Sequence, residues 1–221
     1  MQSYSIKAIG DGEPVPAGDL RTLHFSLLPH SPVVLLGPRF VEHFYYPKLV
    51  EMGLLFGAIA YWDDRPVGFI AVTQDASGFM GRAIKRHPIK LAWTMLVSVL
   101  ADPRRLAALY EALQIMRNRE PAETSEPVAE LLSFGVIEEF RSAGFARKTG
   151  VKVGRDLFGK AIEQLRERGV ATVAALVDQD NKEVCLMYRA MGWTVHDPDV
   201  KGWKTPQIEF RTRLSDDRGE D

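Results

Sequence analysis

Apolar positions along the chain fall into short runs separated by glycine, proline and aspartate, and the spacing inside each run sets the element it predicts. Ser5–Ile9 predicts a first strand, followed by a Gly/Pro-rich turn. Leu20, Leu23 and Leu27 share one helical face behind Asp19, a side chain suited to an N-cap, and Pro29 ends that helix. Gly37-Pro38 opens a second helix carrying Phe40, Phe44 and Tyr45, because proline fits the first turn, where its missing N–H has no partner. Pro47 and Gly53 close it. Leu54–Trp62 and Pro66–Thr73 are β-prone runs joined through Asp63-Asp64-Arg65, the pattern of a hairpin.

The rhythm then breaks. Residues 84–100 and 103–116 predict two helices separated by Asp102-Pro103, and the polar stretch 118–127 predicts a loop. Residues 75–127 are therefore expected to be a helical insertion between the third and fourth strands. Strand character resumes at Ala129–Ile137, and a loop over 138–148 follows. Leu157, Ala161 and Leu165 mark a helix ending at Gly169. Thr172–Val177 predicts a buried strand, and Asn181–Met191 a helix stopped by Gly192. Ile208, Phe210, Thr212 and Leu214 alternate with Glu209, Arg211 and Arg213, as a half-buried strand requires. The order implies an α/β (mixed α+β) domain over 1–214: a central mixed, mostly antiparallel sheet of about six or seven strands flanked by helices, with a disordered tail over 215–221.

Composition changes this picture little. The 46% hydrophobic and 26% charged residues are ordinary for a globular chain. A net charge of -1 supplies no general basic field, which argues against nucleic acid as the partner. Cys185 stands alone, so no internal disulfide can form, and the absence of a basic start and apolar run before Pro16 points to a cytoplasmic protein, with the inner face of the membrane as the alternative location. The apolar run Leu91–Ala101 is too short to span a bilayer and reads as a buried helix or a surface-lying one.

Chemistry concentrates near the C-terminus. Asn181 can accept a backbone N–H as a helix cap, and Tyr188 lies two turns later on the same face. A phenol with a pKa near 10 can return a proton to a departing thiolate; the alternative is that Tyr188 only packs. The run from Asn181 through Tyr188 to Gly192-Trp193 resembles the C-terminal motif of the Gcn5-related N-acetyltransferases, firmly over Ala129–Trp193 and loosely before it. That resemblance implies acetyl-CoA as acyl donor with no metal, and direct attack of a primary amine on the thioester, with Tyr188 as general acid. An amino sugar is the expected acceptor; a peptide amine, or acyl-CoA binding without turnover, is the alternative. The family pairs the main chain of a splayed strand with the pantetheine arm, here Phe134, Gly135, Val136 and Ile137. Glu130, five residues before Gly135-Val136, holds the general-base position of one branch of the family, or else is a solvent-facing strand charge.

The family's pyrophosphate loop fits two registers. Arg141-Ser-Ala-Gly144-Phe-Ala146 matches by letter but forces three glycines into the following helix. Thr149, Gly150, Val151, Lys152, Val153 and Gly154 match less well yet leave a helix of the expected length, and this register is preferred, with Arg147, Lys148 and Arg155 adding positive charge. Gly154 to Ala161 nearly spells a nucleotide triphosphatase P-loop, but Ala161 replaces the magnesium-binding Ser or Thr. Scattered histidines give no metal spacing, and no nucleophile elbow or dinucleotide fingerprint occurs. Arg39, Glu42, Tyr45 and Tyr46 are candidates to bind the acceptor. The insertion, basic at Lys85-Arg86-His87 and Lys90, covers that site or rests on a second subunit, as in a homodimer, or on a membrane through 84–101.

Overall fold

The computed structural model describes residues 3–10, 12–76, 78–118, 128–200 and 205–214. The tail over 215–221 and most of the 118–127 loop lie outside them. Seven strands form one sheet in the order β1-β2-β3-β4-β5-β7-β6. β1 (Tyr4–Ile9), β2 (Phe56–Trp62), β3 (Arg65–Thr73) and β4 (Val128–Val136) make an antiparallel half. β4 meets β5 (Thr172–Asp178) in parallel, and β7 (Gln207–Arg213) and β6 (Thr194–Val200) continue antiparallel.

Asp63 and Asp64 both take positive φ, 48° and 60°, the two-residue turn whose twist suits a hairpin. Gly57 is required where it stands: a Cβ there would lie 2.1 Å from the Ile70 carbonyl oxygen across the ladder.

α1 (Ala17–Leu27) begins two residues before the predicted cap, so Asp19 lies in its first turn and accepts a hydrogen bond from the Tyr61 hydroxyl at 2.7 Å. α2 (Pro32–Leu35) follows. α3 (Pro38–Phe40) runs through a π-helical turn, Val41–Tyr45, into α4 (Tyr46–Glu51). Pro47 does not end this helix as expected. The wider turn accommodates a residue that has no N–H to return to the preceding turn. Among the described residues, three helices rather than two separate β3 from β4: α5 (Phe79–Arg86), α6 (Pro88–Ala101) and α7 (Arg105–Asn118). Pro88 divides the helix expected over 84–100.

The stretch expected as a loop over 138–148 is mostly helical, as α8 (Glu138–Arg141) and α9 (Ala143–Thr149). Ser142 caps α9 by accepting from the Phe145 N–H at 3.1 Å, and Gly150 ends it in the left-handed region. α10 (Val153–Glu167) packs Leu157, Ala161 and Leu165 into the core on one sheet face, and α11 (Lys182–Ala190) covers the same face beside it. α1 to α6 and the π-helical turn cover a second cluster on the opposite face.

Candidate active site

The site begins with a disagreement between two strands. β4 pairs with β5 only from Val128 to Leu131, against Thr172 to Ala175. Beyond that, β4 continues along β3 to Val136 while β5 continues along β7 to Asp178, so the sheet opens. The cause is local to β4: Ala71 faces Ser133 and Val72 faces Leu131, which leaves Leu132 as an extra residue. A bulge of this kind bends a strand and increases its twist. Phe134, Gly135 and Val136, and Ile137 just after them, thus lie beyond the part of β4 that pairs with β5.

A cavity of about 480 Å³ occupies the opening. Glu130, Ser133, Asp178, Asn181 and Tyr188 are polar members of its lining. Glu130 is 6% exposed, which removes the solvent-facing alternative. Asn181 caps α11 by accepting from the Val184 N–H at 3.3 Å. Tyr188, 3% exposed, has its ring fixed between Trp193, at 4.7 Å between centroids, and Phe210, stacked at 5.5 Å. Burial raises its phenol well above the usual range, so it is protonated at neutral pH. Among the described residues its hydroxyl has no hydrogen-bond partner, although its ring is packed as the structural alternative requires.

The two phosphate-loop registers differ physically. At Gly144 the start of α9 is already satisfied by the Ser142 side chain. At Lys152-Val153-Gly154 no side chain caps α10, and the first amides of a helix have no partner within it. This helix start lies against the open part of β4: a Cβ on Gly154 would come within 3.4 Å of the Phe134 ring and 3.9 Å of Val136. Arg147, Lys148, Lys152 and Arg155 are exposed around it, while Val153 sends its side chain into the core.

The rest of the lining is mostly apolar, and the insertion builds much of it. Phe79, Met80 and Ile84 from α5, Leu91 and Met95 from α6, and Leu109 from α7 face Leu36, Phe40 and Tyr45. Of the four residues expected to bind the acceptor, only Tyr45 reaches this wall. Arg39 is exposed away from it, Glu42 accepts from Arg21 at 2.8 Å, and Tyr46 is fully buried behind it. The insertion's contribution could not be told from core residues in the sequence, since both are apolar positions on helices.

Sequence reasoning also missed a buried polar chain. The Tyr46 hydroxyl lies 2.8 Å from His24 Nδ1, and His24 Nε2 lies 3.0 Å from Ser31 Oγ. Burial pushes His24 down to about 4, so the ring is neutral. Tyr46 has no other acceptor for its proton among the described residues, so it donates to Nδ1 and the ring donates from Nε2 to Ser31. Ser31 also accepts from the Val34 N–H at 3.3 Å. Its own proton is left to point elsewhere, and Ser31 lines the cavity.

Comparison with known proteins now decides the family. The sequence model of the Acetyltransferase (GNAT) family matches residues 34–193, well over half of the chain. The chain belongs to this family. A curated member, the mycothiol acetyltransferase of Thermobifida fusca (strain YX), is 29% identical over 82 residues, which are 37% of this chain and 23% of that protein. The chain therefore matches less than a quarter of the length of that relative. Among solved structures, Arabidopsis thaliana NAA60 in complex with acetyl-CoA aligns with a TM-score of 0.55 at 12% identity, over 96% of this chain and 98% of that one. An acetyltransferase of the GNAT family from Streptococcus pneumoniae aligns with a TM-score of 0.53 at 14% identity, over 96% and 99%. Both share the fold of this chain, a mixed sheet flanked by helices that here has seven strands. Among the described residues, no cluster of His, Cys, Asp or Glu could hold a metal ion.

Proposed function

We propose that this chain transfers the acetyl group of acetyl-CoA to a primary amine. One observation carries the reading: a single cavity at the opening between β4 and β5 is lined by both Glu130 and Tyr188. In this reading the uncapped start of α10 meets the pyrophosphate, with Arg147, Lys148, Lys152 and Arg155 around it, and the main chain of Phe134–Ile137 runs beside the pantetheine arm. Glu130, directly or through water, takes a proton from the amine. The amine nitrogen attacks the thioester carbonyl, a C–N bond forms and the C–S bond breaks. Tyr188, kept protonated by burial, gives its proton to the leaving thiolate. The protein's location and oligomeric state are not needed for this step.

We further propose that the acceptor carries an apolar body rather than the hydroxyls of an amino sugar. A buried hydroxyl left without a hydrogen bond costs about 1–3 kcal/mol, and the insertion's wall of Met80, Ile84, Leu91 and Met95 offers none. Ser31 is the polar exception on the side of α1 and α2, a single donor for one oxygen. A thiol-release assay with acetyl-CoA tests both parts, using alkyl and aralkyl amines, glucosamine and a peptide with a free N-terminus. Turnover on the apolar amines, with glucosamine slow, is expected. Acetyl-CoA binding with no thiol release on any amine would overturn catalysis; a preference for glucosamine would overturn the apolar acceptor.

A further inference from the structure

The helix that walls the cavity is apolar on its other side too. α6 turns Leu91, Thr94, Met95 and Ser98 inward, and Ser98 donates to the Leu36 carbonyl at 2.6 Å. Ile89, Trp93, Leu96 and Leu100, spaced to share one helical stripe, face outward at 85, 66, 49 and 73% exposure. α7 adds Leu106 and Tyr110, both more than half exposed. Six of the ten large apolar side chains found exposed among the described residues thus lie within these two helices.

Charge selects what can cover this face. From Phe79 to Tyr110 there are six basic residues, Arg82, Lys85, Arg86, Lys90, Arg104 and Arg105, against Asp102 alone; acidic residues return at Glu111. Asp102 pairs with Arg105 at 3.8 Å and Arg82 with Asp75 at 2.6 Å. This leaves Lys85, Arg86, Lys90 and Arg104 as the cations without an ion pair among the described residues. The chain as a whole carries 28 basic and 29 acidic residues, so this segment departs sharply from the rest. A second copy docking by the same face would oppose like charges. A bilayer rich in anionic headgroups meets both demands at once, taking the stripe into its interface and the flanking cations at its phosphates. α6 is about 21 Å long, and no described helix is long and apolar enough to cross a membrane, so the helix would lie in the interfacial plane.

We infer that the outer face of α6 and α7 docks this protein on an anionic membrane surface, with Trp93 at the centre of the contact. Docking there sets the cavity about one helix diameter, roughly 10 Å, from the lipid. The inference does not rest on acetyl transfer and is tested without it.

Vesicle co-sedimentation of the full chain is the test, with phosphatidylcholine alone or mixed with phosphatidylglycerol. Binding to the mixed vesicles, weakened by salt, is expected, with little to phosphatidylcholine alone. The Lys85→Glu, Arg86→Glu double variant changes two exposed side chains and should bind at least about tenfold more weakly. Trp93→Ser should do the same, and a circular-dichroism melt confirms that each variant is folded. Trp93→Phe should keep binding and remove most of the blue shift of tryptophan emission on vesicles. No binding to either vesicle overturns the proposal, as does equal binding by wild type and both folded variants. Concentration-dependent dimerisation abolished by Trp93→Ser, without vesicle binding, would also overturn it and assign the face to a second copy.

Discussion

The polar and apolar parts of the cavity lining are built in opposite ways. In the polar part, strand pairing, a helix cap and interlocked rings set the positions: the bulge at Leu132 opens the sheet, Asn181 starts α11, and the Trp193 and Phe210 rings hold Tyr188. In the apolar part, side chains from α5, α6 and α7 form a wall with few directional bonds. In the proposed reading, chemistry belongs to the first part and choice of acceptor to the second.

The most severe way to break this division is at Tyr188. Tyr188→Phe should lower kcat by about 10²–10⁴-fold with acetyl-CoA affinity unchanged, measured by initial rates and calorimetry. The melting temperature should move little, because the hydroxyl has no partner within the described protein. A large loss of stability with the rate retained would make Tyr188 a packing residue.

A next effect arises behind the apolar wall. His24 has a folded pKa of about 4, below its unfolded value of 6.5, so the unfolded chain takes up the proton first as pH falls. The associated stability is present above pH 6.5 and lost toward pH 4, on the order of 3 kcal/mol. Urea midpoints across that window should fall in the wild type and fall less steeply in His24→Gln.

Gly154→Leu distinguishes the two phosphate-loop registers. A side chain there pushes on Phe134 and covers the start of α10, so acetyl-CoA should bind about tenfold more weakly. At Gly144 a Cβ meets only Ser142 Oγ, at 4.0 Å, and Gly144→Leu should leave affinity unchanged. Smallest is the effect of Met80→Lys, which places a charge in the apolar wall from a half-buried position. It should raise the KM for an apolar amine roughly fivefold at unchanged kcat.

Much of the frame was legible because its signals are local. Leu157, Ala161 and Leu165 announce α10 by their spacing alone, and two aspartates between β-prone runs announce the hairpin. β6 carried no such signal: Thr194–Val200 is largely polar, contains Pro198, pairs irregularly and lies at the sheet edge, where such residues are tolerated. Pro47 misled because a π-helical turn can absorb a proline. In the site, Asn181 and Tyr188 stand seven residues apart on one helix and so could be found together. The opening beyond Leu131 comes from a mismatch between two ladders, and Ser31, His24 and Tyr46 meet only after folding. Tyr46 was expected at the acceptor for its chemistry, but its hydroxyl is spent on His24.

Everything proposed for the chemistry depends on the donor lying between β4 and β5 against the start of α10. Amide hydrogen exchange with and without coenzyme A measures that directly. The account predicts protection at Phe134–Ile137 and Val153–Arg155, with the amides of Ala143–Ala146 unchanged. Protection centred on Ala143–Ala146, with the β4 amides unaffected, would contradict it.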